Sequence, residues 1–323
     1  MEGLQPVSID PLRIAVLAGG DSAEREISLQ SGSAIVSALV DRGHSVATVD
    51  PAVIDLESHD WAQVDMAFLA LHGTFGEDGR VQSLLARLGV AFTGSGADVS
   101  RLAFSKSAAK ERFNLADVST PEYALIHSTD SPERIAEHAA SIGYPLVVKP
   151  DAQGSSLGVS IVESADALGA AVTSCFELGD FGLLERMVVG SEWTLGVIND
   201  QSLPLIRIGT GREFFDYAAK YQDDATDYGF DTEMDAATLE LLTQTGLTAC
   251  RCLGATEFAR VDILLDDNGQ AWVLEVNTIP GMTDHSLVPK AAAQVGLSMG
   301  ELCELIVDHA LKASSPGGLR RAS

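Results

Sequence analysis

Residues 259–277, ARVDILLDDNGQAWVLEVN, read as two β-rich runs joined by Asn268-Gly269, the dipeptide most strongly associated with two-residue hairpin turns. With those two residues as the loop, pairing joins residues whose numbers sum to 537, so Asp262 falls opposite Glu275 and Arg260 opposite Asn277. Strand side chains alternate faces, so these four polar groups share one side. The opposite side is expected to carry Val261, Ile263, Leu265, Trp272, Leu274 and Val276, an apolar surface suited to core packing. Directly opposed carboxylates have Cβ atoms about 5 Å apart and destabilise a strand pair. At that spacing and an effective dielectric of ~20 the repulsion is about 3 kcal/mol, large beside a domain's net stability. A raised pKa on one acid, a bridging Arg260, or a divalent cation would each relieve it. Asp, Glu and Asn oxygens are the hard ligands that suit Mg²⁺ carrying phosphates.

The 323 residues can hold two or three domains with substantial cores. Lys and Arg number 21 against 46 Asp and Glu, a formal charge of −25, which argues against nucleic acid or an anionic membrane surface as the main partner. The N-terminal MEGLQPVSIDPLR has no basic segment followed by an apolar core, and no apolar run approaches the length of a membrane span. Cys175, Cys250, Cys252 and Cys303 read as reduced cytosolic thiols.

Residues 1–97 alternate strand and helix, the rhythm of an open parallel α/β sheet whose ligands sit at the strands' C-terminal ends. The strands RIAVLAGG and MAFLALHG both end at that edge. From about Asp98 the pattern turns α+β: one helical stretch, VSRLAFSKSAAKERFNLA, then two strands around the glycine-serine loop of VVKPDAQGSSLGVS. Residues 98–187 and 188–323 are expected to form two further units, with a polar stretch at 211–235 and a disordered tail.

Backbone N–H groups of a glycine-serine loop can point at phosphate oxygens, with Lys149 supplying a point charge at the strand end. Lys149 precedes the glycines and a strand follows, so this is not a GxxxxGK[ST] loop; alone, a flexible hairpin turn explains it equally well. Lys106 is a second phosphate candidate, and Glu185 and Glu192 flank a strand end that could face adenine and ribose. Glu24, three residues after Asp21, fits either a capping box or an amine contact at the sheet's ligand edge, and the capping box is favoured on its own merits. His72 stands at a strand exit, where a structural and a site histidine are equally consistent.

In order, GGDSAEREISL, LHGTFGEDG, TGSG, VVKPDAQGSSLGVS, FDYAAKY, ARVDILL and LEVNTIPGMTDHSLVP resemble the motifs of the D-alanine:D-alanine ligase family of the ATP-grasp superfamily, over residues 13–311. The resemblance implies the ATP-grasp fold and ATP-dependent joining of two D-alanines through an acylphosphate, giving ADP and phosphate, for peptidoglycan precursor synthesis. It implies Lys106, Lys149 and Ser156 at the phosphates, Glu185 and Glu192 at adenine and ribose, and Asp262, Glu275 and Asn277 as ligands of two Mg²⁺ ions, with Mn²⁺ as a substitute. Glu24 would hold the first D-alanine's ammonium, linked to Ser155 and Tyr221; Arg260 and the backbone of Gly281 would stabilise the reacting carbonyl oxygen. Lys220, Ser286, Leu287 and His72 would surround substrate. A cytoplasmic homodimer is the family expectation. A D-lactate or D-serine acceptor, another carboxylate–amine ligase, and a non-catalytic nucleotide-binding regulator are the competing readings; Lys220-Tyr221 favours an amine acceptor.

Overall fold

The computed structural model describes residues 4–209, 227–230 and 234–314. Three sheets organise them. The first is parallel, in the order β2-β1-β3, from β1 (Arg13–Leu17), β2 (Ser45–Val49) and β3 (Met66–Leu69). An isolated parallel bridge between Ala67 and Phe92 extends it by one chain segment. Helices α1 (Arg25–Asp41) and α2 (Arg80–Arg87) follow β1 and β3, and the wholly buried MAFL of β3 fits a parallel strand covered on both faces.

The stretch expected as one helix is two, α3 (Ala97–Phe104) and α4 (Lys106–Leu115). Ser105 breaks it in extended conformation (φ −82°, ψ 108°), its hydroxyl accepting from Ala108 N and donating to Asp151 Oδ2 at 2.8 Å. A serine side chain that caps a new turn competes with helix continuation, and the break makes Lys106 the first residue of α4.

The second sheet is antiparallel, β4-β7-β5-β6, built from β4 (Tyr123–His127), β5 (Leu146–Pro150), β6 (Ser160–Val162) and β7 (Phe181–Arg186). Helices α5 (Pro132–Ile142) and α6 (Ala165–Phe176) cover its apolar face. Sequence reading missed β4 and α5.

Residues 187–189 carry the chain into a third sheet, ordered β11-β10-β8-β12-β13 with β9 beside β8. Its strands are β8 (Gly190–Ile198), β9 (Gln201–Ser202), β10 (Ile206–Gly209), β11 (Asp227–Gly229), β12 (Phe258–Asp266) and β13 (Ala271–Asn277). Helix α7 (Ala236–Leu253) packs on it, while α8 (Leu287–Gln294) and α9 (Met299–Ser314) return to the first sheet's core.

The β12–β13 hairpin departs from its expected turn in two compensating ways. Asp266 N bonds Gln270 O and Gly269 N bonds Asp266 O, making a loop of Asp267, Asn268 and Gly269, with Gly269 at φ +79°. Asp266 Oδ1 accepts from both Asn268 N and Gln270 N, which favours this longer loop over the two-residue turn. A bulge at Leu274 then restores the expected pairs Asp262–Glu275, Val261–Val276 and Arg260–Asn277. Between loop and bulge every side chain of β13 changes face. Ala271 and Val273 enter the core beside Val261, Ile263 and Val276, while Leu274 faces a cleft and Trp272 bonds Asp266.

Among the described residues no helix is long and apolar enough to cross a membrane. All four cysteines are free; Cys250 is buried and Cys252 half-buried on α7.

Candidate active site

The second and third sheets enclose a cleft of about 400 Å³, within the range of small-molecule sites. Val147, Met187, Ile208, Leu264 and Leu274 supply apolar lining. Its polar groups come from the glycine-serine loop, the end of β7, Lys106, Lys149, and the hairpin acids Asp262 and Glu275. Glu192, on β8, lines the same cleft.

Buried charge concentrates on one wall. Lys149 on β5 donates to Glu185 Oε1 on β7 at 2.7 Å. Lys110 on α4 stands 2.6 Å from Oε2, an ion pair without a well-directed hydrogen bond at that oxygen. Burial pushes the Glu185 carboxyl up, but Lys110 and Lys149 outweigh it and hold the group below the ordinary carboxylate range. Burial also lowers Lys110, against the pull of Glu185, to about 8. One carboxylate between two ammonium groups leaves a positive excess facing the cleft, which suits an anionic ligand.

The hairpin's polar face lies at the other side. Arg260 grips Asp262 with two hydrogen bonds, Nε–Oδ1 at 2.9 Å and Nη2–Oδ2 at 2.8 Å. Thr194 on β8 donates to Asp262 Oδ1 at 2.7 Å, and Asn277 reaches Oδ2 at 3.4 Å. Lys106 Nζ lies 3.4 Å from Glu275 Oε2 and donates to Gln153 O at 2.5 Å. The opposed carboxylates are thus each compensated by a cation. Among the described residues no group of three or more His, Cys, Asp and Glu is placed to hold a metal ion by itself. Two carboxylates and one amide oxygen fit a Mg²⁺ that keeps water and phosphate oxygens in its remaining positions.

Glu24 makes no capping hydrogen bond; it ends as the residue before α1, 6% exposed, with its carboxylate turned inward. The favoured capping-box expectation fails because Glu24 Oε1 accepts from Ser155 Oγ on the glycine-serine loop. Ser155 and Ser156 both hold left-handed backbone, φ +51° and +57°, a conformation uncommon outside glycine and concentrated at functional loops. Ser156 lines the cleft. Close approach of glycine backbone completes Glu24's surroundings: a Cβ on Gly73 or Gly154 would come 2.8 Å from its Oε2. Arg25 anchors the same corner, donating to Gly20 O at 2.7 Å and to Asp50 Oδ2 at 2.6 Å.

His72 is buried, its Nε2 3.4 Å from Ser31 Oγ, which accepts from Met282 N at 3.2 Å. Burial first, then the charge of Arg260, push the imidazole down to about 4, so it is neutral at pH 7. Gly281 packs so closely that an added Cβ would lie 2.9 Å from Ser286 Oγ. Ser286 precedes α8 and Leu287 begins it, with Thr283 N donating to Ser286 Oγ at 2.9 Å. Lys220 and Tyr221 lie outside the described residues, as does the tail at 315–323.

Comparison with known proteins matches residues 113–308 to the D-ala D-ala ligase C-terminus and 50–95 to the D-ala D-ala ligase N-terminus. The D-alanine–D-alanine ligase of Ectopseudomonas mendocina is 41% identical over 313 residues, covering 95% of this chain and 98% of the relative. The chain belongs to the D-alanine–D-alanine ligase family. The corresponding ligase of Alkalilimnicola ehrlichii is 42% identical over 291 residues, 90% of this chain and 92% of its own. Among solved structures, the D-alanine–D-alanine ligase of Bacillus anthracis complexed with ATP superposes with a TM-score of 0.81 at 29% identity, covering 95% of this chain and all of that one. The VanG D-Ala:D-Ser ligase of Enterococcus faecalis superposes at 0.82 with 26% identity, covering 93% of this chain and all of its own. The fold is the ATP-grasp fold.

Three residues of this family member's cleft region escaped the sequence reading. Lys110 is four residues from Lys106 and shares its helix's buried face with Ala109 and Phe113, a pattern that signals a partnered charge. Thr194 shares a strand face with Glu192 at a spacing of two, but the β8–β12 register that puts it opposite Asp262 is long-range and unreadable locally. Glu77, within GTFGEDG, accepts from Gly73 N at 2.6 Å; burial, reinforced by Glu24, pushes it up to about 8.

Proposed function

We propose that this chain joins two D-alanine molecules to D-alanyl-D-alanine, with ATP converted to ADP and phosphate by way of an acylphosphate. The observation that carries the reading is the Ser155–Glu24 hydrogen bond. It sets a buried carboxylate, suited to an amino acid's ammonium, one residue from Ser156 in the nucleotide cleft. Residues 1–97 supply the amino-acid end, 98–187 the phosphate loop, and 188–323 the metal hairpin.

A carboxylate is a poor acyl donor, so it must be activated before an amine can attack. With its ammonium on Glu24, the first D-alanine directs its carboxylate at the γ-phosphate, and the acylphosphate forms as ADP leaves. Lys106 and Lys149 offset charge on the transferring phosphoryl group. Asp262, Glu275 and Asn277 would hold Mg²⁺, two ions on the family pattern, which supplies charge neutralisation for the phosphates. The second D-alanine's neutral amine then attacks the acyl carbon. Arg260 and the Gly281 N–H stabilise the oxyanion, and phosphate departs. Ser286 and Leu287 receive the second substrate, with Lys220 and Tyr221 as further substrate contacts on the family pattern, and water must be kept from the acylphosphate. His72, neutral, braces the first-substrate corner through Ser31.

Product analysis tests this reading. D-alanine alone should give the dipeptide, whereas L-alanine should give none; dipeptide absent with ATP, Mg²⁺ and D-alanine present would refute it. Offering D-serine or D-lactate beside D-alanine distinguishes the acceptor.

A further inference from the structure

The buried charge at Lys110 has no part in the reaction just described, yet it stands fully enclosed behind the cleft wall. Its side chain is 0% exposed, and it does not line the cleft, whereas its partner Glu185 and Glu185's other partner Lys149 both do. We propose that Lys110 is a positioning residue that keeps Glu185 an acceptor-only carboxylate, and so makes the cleft select a 6-amino purine over a 6-oxo purine. This inference rests on the nucleotide reading of the cleft.

The geometry separates the two lysines by task. Lys149 reaches Glu185 from the cleft side at 2.7 Å, where a nucleotide's phosphates can draw it off. Oε1 then turns an unused lone pair toward the cleft. Lys110 cannot follow. Its Nζ lies 2.5 Å from Thr120 Oγ1, which donates to Val273 O at 2.8 Å on β13, and stands 5.6 Å from the Tyr123 ring centre. It therefore remains Glu185's counter-ion when Lys149 is engaged elsewhere.

Without that counter-ion, burial favours the neutral acid, which carries an O–H donor and would tolerate a 6-oxo group. With it, Glu185 accepts from an exocyclic amino group and repels a carbonyl oxygen placed there. A polar group built to bond one substrate atom rejects the analogue that leaves it unmatched.

Full-chain Lys110→Met and Thr120→Val proteins, checked for folding by circular dichroism, can be titrated with ATP and with inosine triphosphate without D-alanine. Because no chemistry is required, the outcome is separable from the ligase reading: a chain that prefers ATP but makes no dipeptide would refute the latter alone. Lys110→Met should lower the ATP-over-inosine-triphosphate preference by about tenfold or more. Thr120→Val, which removes the hydroxyl beside Nζ, should lower it less. In a Glu185→Gln background, Lys110→Met should add no further change, since the effect passes through Glu185. A folded Lys110→Met protein with the parent's preference, or an effect that persists undiminished in Glu185→Gln, would overturn the inference. If Lys110→Met does not fold, an unchanged preference in Thr120→Val would overturn it.

Discussion

Ser155 donates a hydrogen bond to Glu24 across 131 residues of chain, tying the glycine-serine loop of the second sheet to the start of the helix that follows the first strand. The glycine-serine loop and the Glu24 carboxylate are thereby held as one unit. Ser155→Ala leaves a buried carboxylate short of one donor, a loss worth about 1.5–3 kcal/mol for a charged partner. The expected outcome is a fall in kcat/KM for D-alanine of about 10- to 100-fold with ATP affinity unchanged, measured by steady-state kinetics and nucleotide titration.

Asp262→Asn and Glu275→Gln each remove one of the proposed hard anionic metal ligands while keeping shape. Both should retain the fold but lose divalent-dependent dipeptide synthesis, by about a thousandfold or more if transition-state charge goes uncompensated. Turnover assayed across a Mg²⁺ titration, with circular dichroism as the folding control, decides this; parental activity in both would remove the hairpin from the metal site.

Asp50 orients Arg25 next to Glu24, and the Arg25 guanidinium lowers the Asp50 carboxyl to about 2. Its folded pKa lies below the unfolded value, so the stabilisation is present above about pH 4 and is lost as pH falls through about 2. Arg25 is 40% exposed, and screening reduces the effect to about 1–2 kcal/mol. Urea unfolding of Asp50→Asn should show that loss at pH 7, shrinking towards zero near pH 2.

Glu77 has the opposite sign. Burial, with Glu24 nearby, raises its folded pKa to about 8, so its contribution is full below about pH 4.5 and lost as pH rises through about 8. Glu77→Gln should therefore gain stability relative to the parent on going from pH 5 to pH 9, read as the difference in unfolding midpoints.

The sequence was most legible where polar residues interrupt a regular pattern. Arg260, Asp262, Glu275 and Asn277 stand out in an apolar hairpin, and their pairing is as expected although the turn is one residue longer. That agreement came from a bulge at Leu274 cancelling the loop's extra residue, so the placement of Trp272 and Leu274 on the apolar face was wrong. Local pattern could not reveal it, because the extra loop residue is set by the Asp266 side chain. Likewise Glu24 fitted a capping box by spacing, and only its tertiary partner Ser155 turned it inward. Lys110 and Thr194 depend on contacts with β7 and β12, which no spacing encodes.

Phosphorylation of the first D-alanine's carboxylate by ATP moves one carboxyl oxygen into phosphate, so ¹⁸O labelling reports it. With D-alanine carrying ¹⁸O in both carboxyl oxygens, each turnover should release a phosphate bearing one ¹⁸O, alongside ADP and dipeptide. Unlabelled phosphate, or AMP in place of ADP, would rule out the acylphosphate route.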